Sequence, residues 1–162
     1  MSLDDAKRHA MLLTTTPPAP VPWQERLRNL LRYPERGEIQ SFLGDTALPA
    51  MHQFAKELTS YGLDVDVIDD RAENGAVRLE VTHGEELDFV YQVVNRPHPL
   101  PSDAVVGKAI EDLSETERYH RAEVHFTEGS QDYDVMGWTR DQVIADLLEQ
   151  YEKHLHFLHV LR

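Results

Sequence analysis

Apolar residues recur every three or four positions in the first third of the chain, which is the spacing of helices with one buried side. Pro34 must end the first of these helices, because proline cannot continue one. Gly44 is expected to end the second helix, and Asp45 or Thr46 to cap the start of the third. The predicted helices cover residues 22–33, 35–43 and about 45–61.

From residue 63 the pattern changes to alternation of apolar and polar residues, which is typical of strands with one buried and one solvent-facing side. Short turns join neighbouring strands, so the pairing is predicted to be antiparallel. Residues 95–102 are interpreted as a proline-rich loop, and residues 103–118 as a mobile excursion with one helical turn. The predicted strands cover residues 63–67, 77–82, 87–94, 122–127 and 132–135.

Thr139 and Gln142 have the spacing of a capping box, which predicts that a final helix begins there and runs to the C-terminus. Helices therefore precede three strands, a loop, a hairpin and a closing helix. This order predicts the α+β class. We expect an antiparallel sheet of about five strands with the N-terminal helices and a long C-terminal helix packed on one face.

Composition narrows the class of protein. The chain has 162 residues, of which 41% are hydrophobic and 28% charged, and this fits one soluble globular domain. It contains no cysteine, which excludes disulfides and thiolate metal ligands and suits a reducing compartment. No apolar run is long enough to span a bilayer, and no secretory signal is expected.

The net charge of −13 is concentrated in one part of the chain. Residues 1–62 contain seven basic and seven acidic residues, whereas residues 63–162 contain nine basic and 22 acidic residues. An acidic surface repels phosphate backbones and anionic lipid, so we expect no nucleic-acid partner. Basic protein surfaces or cations are the expected partners; the alternative is that the acidity serves solubility alone.

Three histidines in the C-terminal segment EKHLHFLHVLR have a spacing that suggests metal ligands. On a helical wheel with Val143 at zero, His154 lies at about 20°, His156 at about 220° and His159 at about 160°. The apolar stripe lies between about 40° and 140°. Ligands on one helix must share a face, so we interpret these histidines as structural. A chelate between His156 and His159 and a pH-sensing role are the alternatives.

Two other groups are candidates for a site. HGEE at 83–86 places carboxylates beside a histidine, but a hairpin tip is expected to be polar in any case. Tyr91, Tyr133 and Trp138 are candidates for an aromatic cage around a quaternary ammonium ion, although aromatic residues in strands more often belong to the core. The chain has no GxGxxG motif, phosphate loop or nucleophile elbow. We therefore predict no catalytic, cofactor-binding or metal-binding residue, no cofactor and no enzymatic activity.

Three segments resemble a known family. In them the chain is similar to the cytoplasmic C-terminal domain of choline carriers in the betaine–carnitine–choline transporter family. The resemblance is dense from about residue 23 to the C-terminus and poor at residues 14–22 and 103–118. The segments are LRYPERGEIQSFL (31–43), HGEELDFVYQV (83–93) and RAEVHFTEGSQDYDVMGWTRDQVIADLLEQYEKHLHFLHVLR (121–162).

The resemblance implies that residues 1–22 are a juxtamembrane segment and proline-rich tether, and that residues 23–162 are a cytoplasmic regulatory domain. The parent protein would be an inner-membrane carrier that takes up choline as a precursor of glycine betaine. Its C-terminal extension would tune uptake to osmotic conditions. The substrate site of such carriers lies in membrane helices, so no residue of this chain is assigned to it.

The resemblance also implies partners for the chain. They are the transmembrane core of the carrier and, through the carrier, further copies of the same protein. Two alternatives to osmotic regulation stay open: a domain that senses choline, betaine or K⁺ directly, and a domain that serves only the assembly or stability of the carrier.

Overall fold

The computed structural model describes residues 22–126 and 133–161, with the backbone alone described at 29–30 and 158–161. Three predicted features lie wholly or partly outside these residues. They are residues 1–21 of the juxtamembrane segment and tether, residue 127 of the fourth predicted strand, and residue 132 of the fifth.

The predicted N-terminal helices are present, but the second and third are joined. Helix α1 spans Trp23–Leu31, α2 spans Arg36–Phe42 and α3 spans Leu48–Ser60. Residues Leu43–Ala47 form one π-helical turn that connects α2 directly to α3, so no helix begins at a cap on Asp45 or Thr46.

The prediction that Gly44 breaks the helix is wrong, because the helical turns continue through residue 44. A Cβ atom at residue 44 would overlap the guanidinium group of Arg71. Glycine therefore lets the side chain of Arg71 pass beside the helical backbone, where it donates two hydrogen bonds of 2.7 Å to Asp69.

Five antiparallel strands form one sheet, as predicted. The strands are β1 (Asp64–Asp70), β2 (Ala76–His83), β3 (Glu86–Pro99), β4 (Arg118–Phe126) and β5 (Tyr133–Asp134). They lie side by side in the order in which they follow along the chain. A four-residue helix, α4 (Arg71–Asn74), connects β1 and β2. A register shift at Val81/Thr82 marks a bulge between β2 and β3.

Strand β3 is longer than predicted, because Asn95–Pro99 continue it instead of forming a loop. Pro97 pairs with His120 on β4, and proline has no N–H to donate. The backbone N–H of His120 donates to the carbonyl of Pro34, 2.8 Å away, on the side of β4 that faces away from β3. The pair formed by Pro97 and His120 therefore needs no hydrogen bond from proline. For this reason proline is tolerated in this edge segment of the strand.

The excursion between β3 and β4 contains two 3₁₀ turns, Ile110–Asp112 and Glu115–Glu117, in place of the single helical turn predicted. Val105 and Leu113 are buried within it. The last helix, α5, spans Arg140–Leu161.

One face of the sheet packs against the helices, which confirms the α+β fold. Alternate residues of a strand point to opposite faces. The residues of one face join the side chains of α2, α3 and α5 in a single core cluster, and the other face is not covered by a helix among the described residues. The fully buried members of this cluster include Ile39, Leu43, Met51, Leu79, Tyr91, Val93, Val124, Val143 and Leu147.

Candidate functional site

Two of the three terminal histidines, His154 and His156, have described side chains, and these differ in their surroundings. The Nε2 atom of His154 lies 3.3 Å from a carboxylate oxygen of Asp88, and its ring packs 5.4 Å from the ring of Phe89. His156 is exposed, and the side chain of His159 is outside the described residues. Among the described residues no three histidine, aspartate or glutamate side chains are grouped so that they could hold a metal ion. His154 thus lies at the rim of the core.

The HGEE segment lies at the tip of the hairpin between β2 and β3, as predicted. His83 pairs with Glu86, and all four residues of the segment are exposed. The exposure of the whole segment is what a polar hairpin tip is expected to show.

A buried carboxylate connects the sheet to the terminal helix. The hydroxyl of Tyr91 on β3 donates a hydrogen bond of 2.6 Å to Asp146 on α5, and the hydroxyl of Tyr133 on β5 donates one of 2.5 Å to the same oxygen. The amide of Gln150 lies 3.5 Å from the other oxygen. Burial, followed by the nearby Asp146, raises the pKa of both phenols well above the usual value. Both tyrosines therefore remain proton donors, and the contact holds three elements together.

Asp146 was missed by the sequence pattern. On the wheel it lies at about 300°, on the side of Val143 opposite the predicted apolar stripe. Asp146 is only 8% exposed, whereas Leu148, which belongs to the predicted stripe, is 48% exposed. The buried side of α5 is therefore rotated toward Asp146. The signal that points to it is the pair of inward-facing tyrosines, since buried phenol hydroxyls need acceptors.

The three aromatic candidates, Tyr91, Tyr133 and Trp138, belong to one cluster of contacting rings. Tyr133 lies 6.3 Å from Trp138 and 6.3 Å from Phe126, and Phe126 lies 5.8 Å from Tyr91, measured between ring centroids. These are the distances of aromatic side chains in direct contact. A trimethylammonium group needs its own space in front of each ring. The rings therefore pack against one another as part of the core, where aromatic residues in strands are expected.

The uncovered face of the sheet is predominantly acidic; we call it the open face. Arg78 donates a hydrogen bond of 2.7 Å to Glu80 and lies 3.6 Å from Asp70, so these charges are partly balanced. Asp64 and Asp66 on β1 are exposed, and neither forms a salt bridge or side-chain hydrogen bond with another described residue. The edge of this face thus carries two exposed negative charges that nothing among the described residues balances.

The acidic character continues on the other side of the open face. One carboxylate oxygen of Glu123 lies within hydrogen-bond distance, 2.8 Å, of the Nε2 atom of His98, and the other lies 3.6 Å from the Nε2 atom of His125. Asp134 pairs with Glu123 across β4 and β5. Partial burial is the main reason that the pKa of Asp134 is raised, and the charge of Glu123 adds to this effect.

His120 is a buried titratable group at the other end of β4. Its Nδ1 atom lies 2.7 Å from the side-chain oxygen of Asn95, and its Nε2 atom lies 3.6 Å from Glu115. Burial lowers the pKa of His120, and Glu115 opposes this effect. The side chain therefore connects β4 to β3 through Asn95 and lies beside the excursion, with its Nε2 atom beyond hydrogen-bond distance of Glu115.

Comparisons with known proteins define the class of the chain. It is 34% identical over 167 aligned residues to a glycine betaine transporter of Acinetobacter baylyi, a match that spans 100% of this chain and 24% of that protein. It is 34% identical to the high-affinity choline transport protein of Escherichia coli K12 and 33% identical to the osmo-dependent choline transporter BetT2 of A. baylyi. Each of these two matches spans 86% of this chain and 20% of the relative. No family model matches the chain.

The chain thus corresponds to a segment, a fifth to a quarter in length, of much longer transport proteins. These matches confirm the predicted resemblance to part of the choline and glycine betaine carriers of the betaine–carnitine–choline transporter family. No helix in the described parts of the chain combines the length and apolar character needed to cross a bilayer.

Proposed function

We propose that residues 23–162 form a regulatory domain on the cytoplasmic face of a choline or glycine betaine carrier, tethered through residues 1–22. The relatives are named as choline and glycine betaine transporters, and one of them as osmo-dependent. Among the described residues no group of three or more histidine, aspartate or glutamate side chains could hold a metal ion. The observation that carries the proposal is the acidity of residues 63–162, part of which lies on the open face.

The mechanism is an electrostatic contact that responds to ionic strength. Cytoplasmic loops of membrane proteins are enriched in lysine and arginine. An acidic domain tethered beside such loops has a high effective concentration there. Loss of water raises the cytoplasmic ionic strength and shortens the screening length from about 10 Å at 0.1 M toward about 3 Å at 1 M. The contact between the open face and the loops then weakens, and the carrier changes its activity.

The salt dependence of binding tests this mechanism. The affinity of the 162-residue chain for the membrane part of the carrier, solubilised without the domain, is measured between low and high salt. We expect the affinity to fall steadily as the salt concentration rises. An affinity that does not depend on salt contradicts the mechanism.

A matched pair of variants locates the contact. Asp64→Asn with Asp66→Asn removes two charges from the open face, and Asp103→Asn with Asp112→Asn removes two exposed charges from the excursion. Both variants change the net charge equally. We expect the first to weaken binding at low salt and to reduce its salt dependence, and the second to have a much smaller effect. Equal effects would mean that net charge acts without a defined surface.

A further inference from the structure

The apolar side of α1 is uncovered. Trp23, Leu27 and Leu31 follow each other at intervals of four residues, so they lie along one side of the helix. Their exposed fractions are 69%, 47% and 66%. Arg26 and Arg28 flank this side at its two edges. We call the surface formed by these five residues the α1 face.

A helix of this kind needs a partner. α1 has nine residues, and isolated helices shorter than about 12–15 residues are only marginally stable in water. The segment after α1 is attached to the domain: Pro34 is buried and accepts a hydrogen bond from His120, and the ring of Tyr33 lies 5.1 Å from that of Tyr119. All described side chains of α1 itself are exposed. The described side chains of α1 therefore do not supply the packing that a helix of this length needs.

We propose that the α1 face packs into an apolar groove, edged by carboxylates, on the transporter part of the same polypeptide. This inference rests on the function proposed above. The chain corresponds to only 24% and 20% of two relatives, so most of such a protein lies outside the matched segment. The carboxylates follow from charge complementarity, because Arg26 and Arg28 flank the apolar side chains and guanidinium groups pair with carboxylates.

Two other occupants fit the α1 face less well. An anionic lipid surface would have to bind a chain with a net charge of −13 through a nine-residue helix. A second copy would have to bind through one small patch. The apolar side chains present on the order of 400 Å², whereas a stable interface buries about 800 Å² on each partner. A small patch is sufficient when both partners belong to one polypeptide, because tethering raises their effective concentration.

The two contacts of the domain then respond differently to salt. Screening weakens the contact of the open face and also the pairing of Arg26 and Arg28 with carboxylates, whereas the burial of the apolar side chains of the α1 face is not weakened by salt. The α1 face therefore stays bound while the open face is released. The domain remains attached at its N-terminal helix in both states of the carrier.

Cysteine alkylation tests this inference, since the chain contains no natural cysteine. Leu27→Cys is introduced into the full-length carrier, freed of its other cysteines and solubilised in detergent, and into the isolated 162-residue chain. Val106→Cys is the control, because Val106 is 76% exposed and lies in the excursion. We expect a charged maleimide to react with Leu27→Cys at least about tenfold more slowly in the carrier than in the isolated chain, at low and at high salt. Val106→Cys should react at the same rate in both.

Equal rates for Leu27→Cys in the carrier and in the isolated chain would overturn the inference. It would also be overturned if the isolated chain became protected at higher concentration, which indicates self-association, or on anionic vesicles, which indicates lipid binding. Protection in the carrier together with an osmotic response that does not need the domain would refute the proposed function and retain this inference.

Discussion

Replacing Tyr91 by phenylalanine tests the contact that joins the sheet to α5. The change removes one hydroxyl and keeps the ring, so the packing of this fully buried side chain is preserved. The lost hydroxyl donates 2.6 Å to Asp146, which is 8% exposed. Water cannot easily replace the donor at this position. The carboxylate keeps the hydroxyl of Tyr133 at 2.5 Å and the amide of Gln150 at 3.5 Å.

The magnitude follows from the charge of the acceptor. A hydrogen bond to a charged group contributes about 1.5–3 kcal/mol to stability. We expect Tyr91→Phe to lower the free energy of unfolding by about 2 kcal/mol, which lowers the melting temperature by about 4–8 °C in a domain of this size. Tyr133→Phe should cost less, because Tyr133 is only half-buried and water can reach the carboxylate from its side.

The double variant gives the sharper result. Without both hydroxyls, the buried carboxylate of Asp146 keeps only the long contact with Gln150. A buried charge that loses its partners costs about 3–5 kcal/mol. The double variant should therefore destabilise the chain by more than the sum of the single variants.

Urea unfolding of the 162-residue chain, followed by circular dichroism, measures these differences. Tyr61→Phe is the control, because Tyr61 is 76% exposed, and it should change the free energy of unfolding by less than about 0.5 kcal/mol. A change for Tyr91→Phe as small as that of the control would refute the reasoning. So would strict additivity of the two single changes.

Three further predictions follow from single residues. Asp134→Asn should stabilise the folded chain at neutral pH, and this gain should disappear in acid. The reason is that a carboxyl group whose pKa is raised by folding destabilises the folded chain as the pH rises through that pKa. Urea unfolding at several pH values measures the gain, and a gain that persists in acid contradicts the prediction. His120→Gln should lose less stability than the unsubstituted chain as the pH falls below about 6.5, because the unfolded chain then binds a proton at His120 more readily than the folded chain does. A steeper loss in the variant would refute the lowered pKa of His120. Gly75→Ala should cost about 1–2 kcal/mol in the same assay, because φ at Gly75 is +60° and a Cβ there would lie 3.4 Å from Asn95; an unchanged stability argues against this backbone conformation.

The class of fold was predictable from the sequence because alternation and helical spacing report burial directly. Val77, Leu79, Val93 and Val124 are buried on the helix-facing side of the sheet, as their alternation predicts. The capping box at Thr139 is also present, with hydrogen bonds of 2.8 and 3.2 Å. These features depend on residues close to each other along the chain.

The departures depend on contacts that are remote in sequence. Gly44 was interpreted through its local flexibility, whereas in the structure it lies in a continuous run of helical turns beside the guanidinium group of Arg71. Pro97 suggested a loop, because the direction of the backbone hydrogen bond at His120 cannot be read from a single strand. The rotation of α5 toward Asp146 depends on donors from β3 and β5.

The candidate site was only partly predictable for the same reason. The sequence identified Tyr91 and Tyr133 as inward-facing but not their common acceptor, and it gave the acidity of residues 63–162 but not its distribution over the open face. The spacing of Trp23, Leu27 and Leu31 suggested a buried stripe, and the described residues leave it uncovered. An amphipathic pattern shows that a helix needs a partner, not where the partner lies.

Choline uptake across a range of external osmolalities tests the proposed function most directly. It is measured for the full-length carrier and for a variant that lacks residues 23–162, at equal amounts of protein in the membrane. We predict that the deletion changes how uptake depends on osmolality. An unchanged dependence, accompanied only by a lower abundance of the carrier, would contradict a regulatory role and favour a role in assembly or stability.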